Sequence, residues 1–410
     1  MYHYYTYDGR TLCSAGALPY PEISVLPETG EVLWVFHRPP LSGRDTFPVT
    51  DPAQLTEREG VASLCAAPGP EGLPRELTNA IRAGRVRAVN LAHPRFEELT
   101  APLPRPEKVR VNLLALGDVG STLLMGLRLM GGDVISSIGI CDLRENVPQR
   151  WEFELNQINL PGPYDTLPPV EIIGPEELFR GDVFLFCASR FVPDTAVKDG
   201  DVRMAQYQLN RELVALYAKK ARQARYKGLF CVVSDPVDPL CRAALLESNR
   251  DEEGNLDGLG LFPHQVRGFG LGVMNARAAY YARKDPRFAS FLTEGRSFGP
   301  HGEDLVIANS IRNYDDALSR QLTEQAVRAN LRMRELGFKP YIAPALSSGA
   351  LSLLLCLRGR WHCSSTYLDG VFMGARNRVL PTGTELERLP LPQALRDRLQ
   401  TTMDRLRAID

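Results

Sequence analysis

The sequence predicts an α/β protein: a doubly wound parallel sheet, preceded by a small α+β region and followed by a mixed α+β lobe. Three observations carry that prediction. After residue 108, apolar runs of five to nine residues alternate with amphipathic stretches, the pattern of strands buried on both faces between covering helices. The first run passes through the turn "ALGDVG" straight into a helical pattern. The second ends on an acid, Asp142, 22 residues after Gly120.

Residues 1–107 hold 14 of the 31 prolines, and two stretches, "YYTYDGRTL" and "ISVLPETGEVLWVF", read as hairpins turning at Gly-containing dipeptides. A helix, "LPRELTNAIRAG", and a strand, "VRAVNL", follow, before the Pro-rich connector "TAPLPRPEK". No catalytic motif falls in this region. Residues 108–265 hold the predicted parallel strands "VRVNLLALG", "VISSIGICD", "VEIIG", "DVFLFCAS" and "GLFCVVSD". A long helix lies between the last two, with Val202, Ala205, Leu209, Leu213 and Leu216 as its expected apolar face. Residues 266–410 become mixed, with helices expected at 272–284, 314–337, 344–358 and 391–408 and a polar hairpin around residue 301. This lobe is expected to close over the crevice at the carboxyl ends of the strands.

The 410 residues carry a formal charge of −1, which leaves no basic excess to neutralise nucleic-acid phosphates or an anionic membrane. Small molecules are the expected ligands. The start "MYHYYTYDGR" lacks a secretory pattern, and the longest apolar tract, residues 345–357, is too short to span a bilayer, so a cytoplasmic protein is expected. No CxxC pair occurs, and Cys141, Cys187 and Cys231 sit in strand-like runs. Reduced core thiols, without a metal site, are expected.

The turn places Ala115, Gly117 and Gly120 in the pattern G-x-G-x-x-G, where backbone must approach a pyrophosphate and a helix start offers it N–H groups. Asp142 stands where an acid accepts from adenosine ribose hydroxyls and repels a 2′-phosphate, which favours NAD over NADP, although Arg144 lies close by.

"GDVGSTLL", "ICDLRE", "DVFLFCAS", "VRMAQYQLNREL", "VVSDPVDPL", "GFGLGVMNARAAYYA", "GPHGED", "PYIAPALSS" and "CSSTYLDG" then follow in order. This series resembles the lactate/malate dehydrogenase family, and "YIAPA" with "CSSTYLDG" is similar to its malate branch. The likeness covers about 108–410 and leaves the first hundred residues outside it. It implies a Rossmann domain and the transfer of hydride between NAD and a 2-hydroxy acid. His301 would be the acid/base, Arg277 the grip on the substrate carboxylate, and Arg203, on a mobile loop, the group polarising the carbonyl. Asp118, Val119, Ala188 and Ser234 would line the cofactor beside Ala115, Gly117, Gly120 and Asp142. A homodimer or homotetramer is also implied, with "VPQRWEFELNQI" a candidate interface through Trp151, Phe153, Leu155 and Ile158.

Three departures stand out. The family's aspartate three residues before the carboxylate-binding arginine, which holds the histidine tautomer, is Met274 here. The family's asparagine in "VVSDPVD" is Asp235, which is expected to take over as carboxylate partner of His301, so that Asp235→Asn would abolish turnover. The loop before Arg203 is about five residues longer and has Val197 where the malate branch has a selecting arginine, leaving Lys198 and Arg190 as candidates for a second substrate carboxylate. Pro340 also stands in a stretch expected to face substrate. These departures keep a rival reading in view: a non-catalytic protein that binds NAD as a sensor or scaffold.

Overall fold

The computed structural model describes residues 2–56, 58–103, 106–190, 200–338 and 343–409, with 200–205 and 334 described by backbone alone. The first hundred residues build a sheet of β1 (His3–Tyr7), β2 (Arg10–Ser14), β3 (Glu22–Ile23), β4 (Val32–Phe36), β5 (Thr46–Pro48) and β6 (Val86–Asn90), in the order β3-β1-β2-β4-β6-β5. Helices α1 (Arg75–Arg82) and α2 (Phe96–Thr100) flank it. The expected first hairpin forms over Asp8 and Gly9, both at positive φ, as a tight antiparallel turn requires. The expected second hairpin does not form: β3 pairs with β1, while β4 runs parallel to both β2 and β6. The reason lies in "VLWVF", whose first four residues are all buried; a strand apolar on both faces belongs mid-sheet.

The second sheet contains β7 (Val109–Leu114), β8 (Ile135–Cys141), β9 (Val170–Ile172), β10 (Val183–Phe186), β11 (Leu229–Val232) and β12 (Val266–Gly268), all parallel, in the order β9-β8-β7-β10-β11-β12. The order reverses between β7 and β10, which puts a crevice at their carboxyl ends. Helices α3 (Asp118–Met130), α4 (Asn146–Asn156), α5 (Gly200–Gln223) and α6 (Val237–Ser248) complete this part.

Helix α7 (Leu271–Lys284), the short α8 (Phe291–Glu294), the hairpin β13 (Arg296–Phe298) and β14 (Val306–Ala308), and α9 (Asp316–Glu335) follow. The helix expected at 344–358 begins as a π turn, Ser347–Leu351, and continues as α10 (Ser352–Leu357). Three antiparallel strands, β15 (His362–Leu368), β16 (Val371–Leu380) and β17 (Gly383–Leu386), extend the large sheet beyond β12 to nine strands, and α11 (Gln393–Arg407) ends the chain.

Two expected faces need correction. On the described part of α5 the buried stripe is Tyr207, Asn210, Val214, Tyr217, Ala218 and Ala221; of the expected residues Leu213 packs partly on the core, Leu209 and Leu216 are 39% and 47% exposed, and the side chains of Val202 and Ala205 lie outside the described residues. The sheet side accepts aromatic rings and a hydrogen-bonded amide, so apolarity alone misplaced the face. On α4, Leu155 is buried and Trp151 packs partly on the core, leaving Phe153 exposed, as is Ile158 just beyond the helix.

The amino-terminal region grips the rest at several points. Ala66 N–H donates to the Leu389 carbonyl (2.8 Å) and Leu389 N–H to the Leu64 carbonyl (2.9 Å). Arg95 donates to the Gly260 carbonyl (2.6 Å) and stacks over Phe262, and the Tyr367 hydroxyl donates to the Leu41 carbonyl.

Candidate functional site

The turn after β7 is shaped by Ala115 and Gly120. Ala115 adopts φ 74°, a left-handed conformation that disfavours a side chain, and its N–H donates to the Cys141 carbonyl (2.8 Å). A Cβ on Gly120 would lie 2.0 Å from the Ala115 carbonyl oxygen, so only glycine lets α3 start so close to the strand. At Gly117 an added Cβ meets nothing within 4 Å; this side of the turn is open, and the first N–H groups of α3 face outward without a side-chain cap. Asp118 is exposed on that first turn and Val119 half-buried beside it.

Asp142 directly follows β8. Its Oδ2 accepts from Leu116 N–H (2.8 Å) and its Oδ1 from Arg144 N–H (3.1 Å), while the Arg144 side chain stays largely exposed. Each oxygen keeps a second lone pair, so the carboxylate can still accept from a vicinal diol. Ala188 and Ser234 meet across the neighbouring strand ends, where the Ser234 hydroxyl donates to the Ala188 carbonyl (2.7 Å). The open glycine turn, the uncapped helix start and the acid at the next strand end fit a dinucleotide.

His301 lies in the β13–β14 hairpin, with its side chain about a quarter exposed. Its Nδ1 donates to the carbonyl of Gly270, the residue capping α7, at 3.0 Å. That carbonyl also accepts from the Ser348 hydroxyl at 2.7 Å. Because a carbonyl can only accept, the proton resides on Nδ1 and the lone pair on Nε2. Gly270 is required here, since a Cβ would sit 2.7 Å from the His301 Cβ.

Asp235 is on the other side of the ring, its Oδ1 3.9 Å from Nε2. Asp235 thus stands beside His301 as expected of a carboxylate partner, with one correction: it faces Nε2, and the tautomer-holding place at Nδ1 belongs to a backbone carbonyl. Met274 is fully buried among apolar neighbours one turn into α7.

A second acid escaped the sequence reading. Asp238, in the first turn of α6, is fully buried and accepts from His301 N–H (3.1 Å) and from the Ser365 hydroxyl. Burial pushes its carboxyl up to about 6, against the pull of those two bonds. Its signal was the second acid of "SDPVDP", which reads as ordinary helix-start chemistry. Asn210 was missed too: buried on α5, it accepts from Arg190 N–H (2.9 Å) and donates to the Asp235 carbonyl (2.8 Å), joining two strand-end loops.

Of the expected cations, Arg277 is half-buried on α7, where it reaches the Met274 sulfur (3.5 Å) and the Ala326 carbonyl (3.3 Å) on α9. Met274 and Arg277, three residues apart, share one helix face. Arg190 pairs with the exposed Glu212 at 2.8 Å, which holds its guanidinium on the outer side of α5. Arg203 lies in the first turns of α5 and its side chain is outside the described residues, as are Val197, Lys198 and Pro340 altogether. Among the described residues no group of three or more His, Cys, Asp or Glu gathers as a metal site, and all eight cysteines are free thiols. No described helix is long and apolar enough to cross a membrane.

No family model matches the chain. It is 26% identical over 291 residues to a probable malate dehydrogenase of Campylobacter jejuni, covering 66% of this chain and 87% of that protein. It is 28% identical over 208 residues to the L-lactate dehydrogenase of Treponema denticola, covering 50% of this chain and 58% of that protein, somewhat over half its length. Among solved structures, the malate dehydrogenase of Archaeoglobus fulgidus in complex with NADH superposes with a TM-score of 0.57 at 16% identity, over 73% of this chain and 98% of its own. The chain is thus similar in sequence, at low identity, to malate and lactate dehydrogenases, and it shares the fold of the solved malate dehydrogenase.

Proposed function

We propose that this protein is an NAD-dependent dehydrogenase of a 2-hydroxy acid, acting in the cytoplasm as a homodimer or homotetramer. The observation that carries the proposal is the orientation of His301: with Nδ1–H held by the Gly270 carbonyl, the basic Nε2 is presented at the crevice edge beside Asp235. In this reading the turn from Ala115 to Gly120 and Asp142 hold NAD, with Ala188 and Ser234 along its path. When bound, the nicotinamide supplies the hydride acceptor. Nε2 of His301 takes the proton of the substrate hydroxyl, and the imidazolium so formed keeps its bond to Gly270 and gains from the negative charge of Asp235 and the buried Asp238. Arg277 and Arg203 are assigned to the substrate carboxylate and carbonyl, Lys198 or Arg190 to a second acidic group.

NADH oxidation with a panel of 2-keto acids tests the proposal. Turnover of one of them, reduced roughly 100-fold or more in His301→Asn with NADH binding retained, is the expected result. Tight NADH binding without turnover of any keto acid would instead support the sensor or scaffold reading, which the apolar Met274 favours because an inert relative has no use for the missing acid.

A further inference from the structure

We infer that the seam between the amino-terminal sheet and the large sheet holds a small monovalent inorganic anion, chloride in a cell, at a site centred on Arg267. A cavity of ≈ 20 Å³, room for one ion or one water, lies there between Thr46 of β5, His264 and Arg267 at β12, Thr366 of β15 and Thr384 of β17. Four polar atoms around it are buried without a hydrogen-bond partner: Thr46 Oγ1, His264 Nδ1, Arg267 Nε and Thr366 Oγ1. Native interiors leave few such atoms, and four at one small cavity call for an occupant.

The chemistry of the set selects its charge. Arg267 is 2% exposed, and its two terminal nitrogens donate to neutral oxygens, Asn377 Oδ1 (2.9 Å) and Thr384 Oγ1. Among the described residues no carboxylate stands within ion-pair distance of it. A guanidinium stripped of water and given only neutral partners is strongly unfavourable. Arg267 Nε can only donate, and both threonine hydroxyls carry protons with no acceptor. Burial, reinforced by Arg87 and Arg267, holds His264 down at about 3, so its ring is neutral at physiological pH and Nδ1 can carry a proton toward the cavity. A water would offer two lone pairs and leave the charge of Arg267 unbalanced; a halide accepts from all four donors and supplies the counter-charge. Arg44 at the cavity wall is already bonded to Glu59 and Ser63, which leaves Arg267 as the unbalanced charge of the site. The residues come from both sheets, so the ion would tie the first hundred residues to the remainder.

Crystals of the full chain grown in sodium bromide, measured at the bromine absorption edge, test this directly. An anomalous peak within hydrogen-bonding distance of Arg267 Nε and Thr366 Oγ1 is expected, and water density with no anomalous signal there overturns the proposal. In solution, the melting temperature in sodium chloride should exceed that in sodium gluconate of equal ionic strength by roughly 3 °C, saturably. Thr366→Val, which keeps shape and removes one donor, should abolish that difference. Equal melting temperatures of the native chain in the two salts would count against the site.

Discussion

The Nδ1 atom of His301 stands 3.0 Å from the carbonyl oxygen of Gly270, and the same oxygen receives the Ser348 hydroxyl. A main-chain group therefore orients an imidazole that a carboxylate orients in the resembled family. A carbonyl fixes the tautomer as well as an acid does, but it carries less negative charge to stabilise the protonated ring.

Gly270→Ala should lower turnover at least tenfold while NADH binding stays near native. The new methyl meets the His301 Cβ at 2.7 Å and must push the ring from its place. Stopped-flow turnover beside NADH fluorescence titration separates the two effects; unchanged turnover would mean that the ring position does not matter.

Asp235→Asn should keep turnover within about tenfold of native, contrary to the loss expected from the sequence alone. The tautomer does not depend on Asp235, which lies 3.9 Å from the opposite nitrogen and is itself 42% exposed. Complete inactivity would show that the carboxylate has a chemical role of its own.

Met274→Asp, which restores the residue type of the family, should destabilise the protein by roughly 3 kcal/mol and fail to raise turnover. The side chain is buried among Leu271, Val273, Ala278 and Phe288, and Nδ1 already has its acceptor. Denaturant midpoints and rates measured on the same preparations check both halves.

Asp238→Asn should gain stability relative to the native chain as pH rises. The carboxyl sits at about 6 in the fold against an ordinary 3.8, so its protonated form favours folding. That contribution is complete below pH 3.8 and is lost as pH climbs through 6. Between pH 4 and 7 the difference should move toward the variant by up to roughly 3 kcal/mol. Denaturant unfolding at both pH values gives the comparison, and a constant difference would place the acid's titration elsewhere.

Ala115→Gly should stabilise the chain by about 1 kcal/mol, because φ 74° strains alanine and not glycine. NADH affinity should be retained. A loss of stability would mean that the turn is not left-handed.

Much of this architecture was legible in the chain because burial on both faces writes unbroken apolar runs, as in Val183–Phe186 and Leu229–Val232. The nucleotide turn was legible for a local reason: Gly120 and Asp142 are fixed by clashes and hydrogen bonds within one strand–helix–strand unit. The partner of His301 was not legible, since a backbone carbonyl has no letter of its own and Gly270 is far from residue 301 in sequence. The inward face of α5 was misread because Asn210 and Tyr207, polar by composition, are the residues that the fold buries. The second hairpin failed for a tertiary reason, the demand of β4 for neighbours on both edges.

The first hundred residues hold the loop before β12 through Arg95 and the stretch after β17 through Leu64 and Ala66, while β15 is hydrogen-bonded onto β12 itself. A jaw-like swing of one half of the molecule against the other would have to break the Gly268–Ser365 pairing of β12 with β15 and unfasten this clasp together.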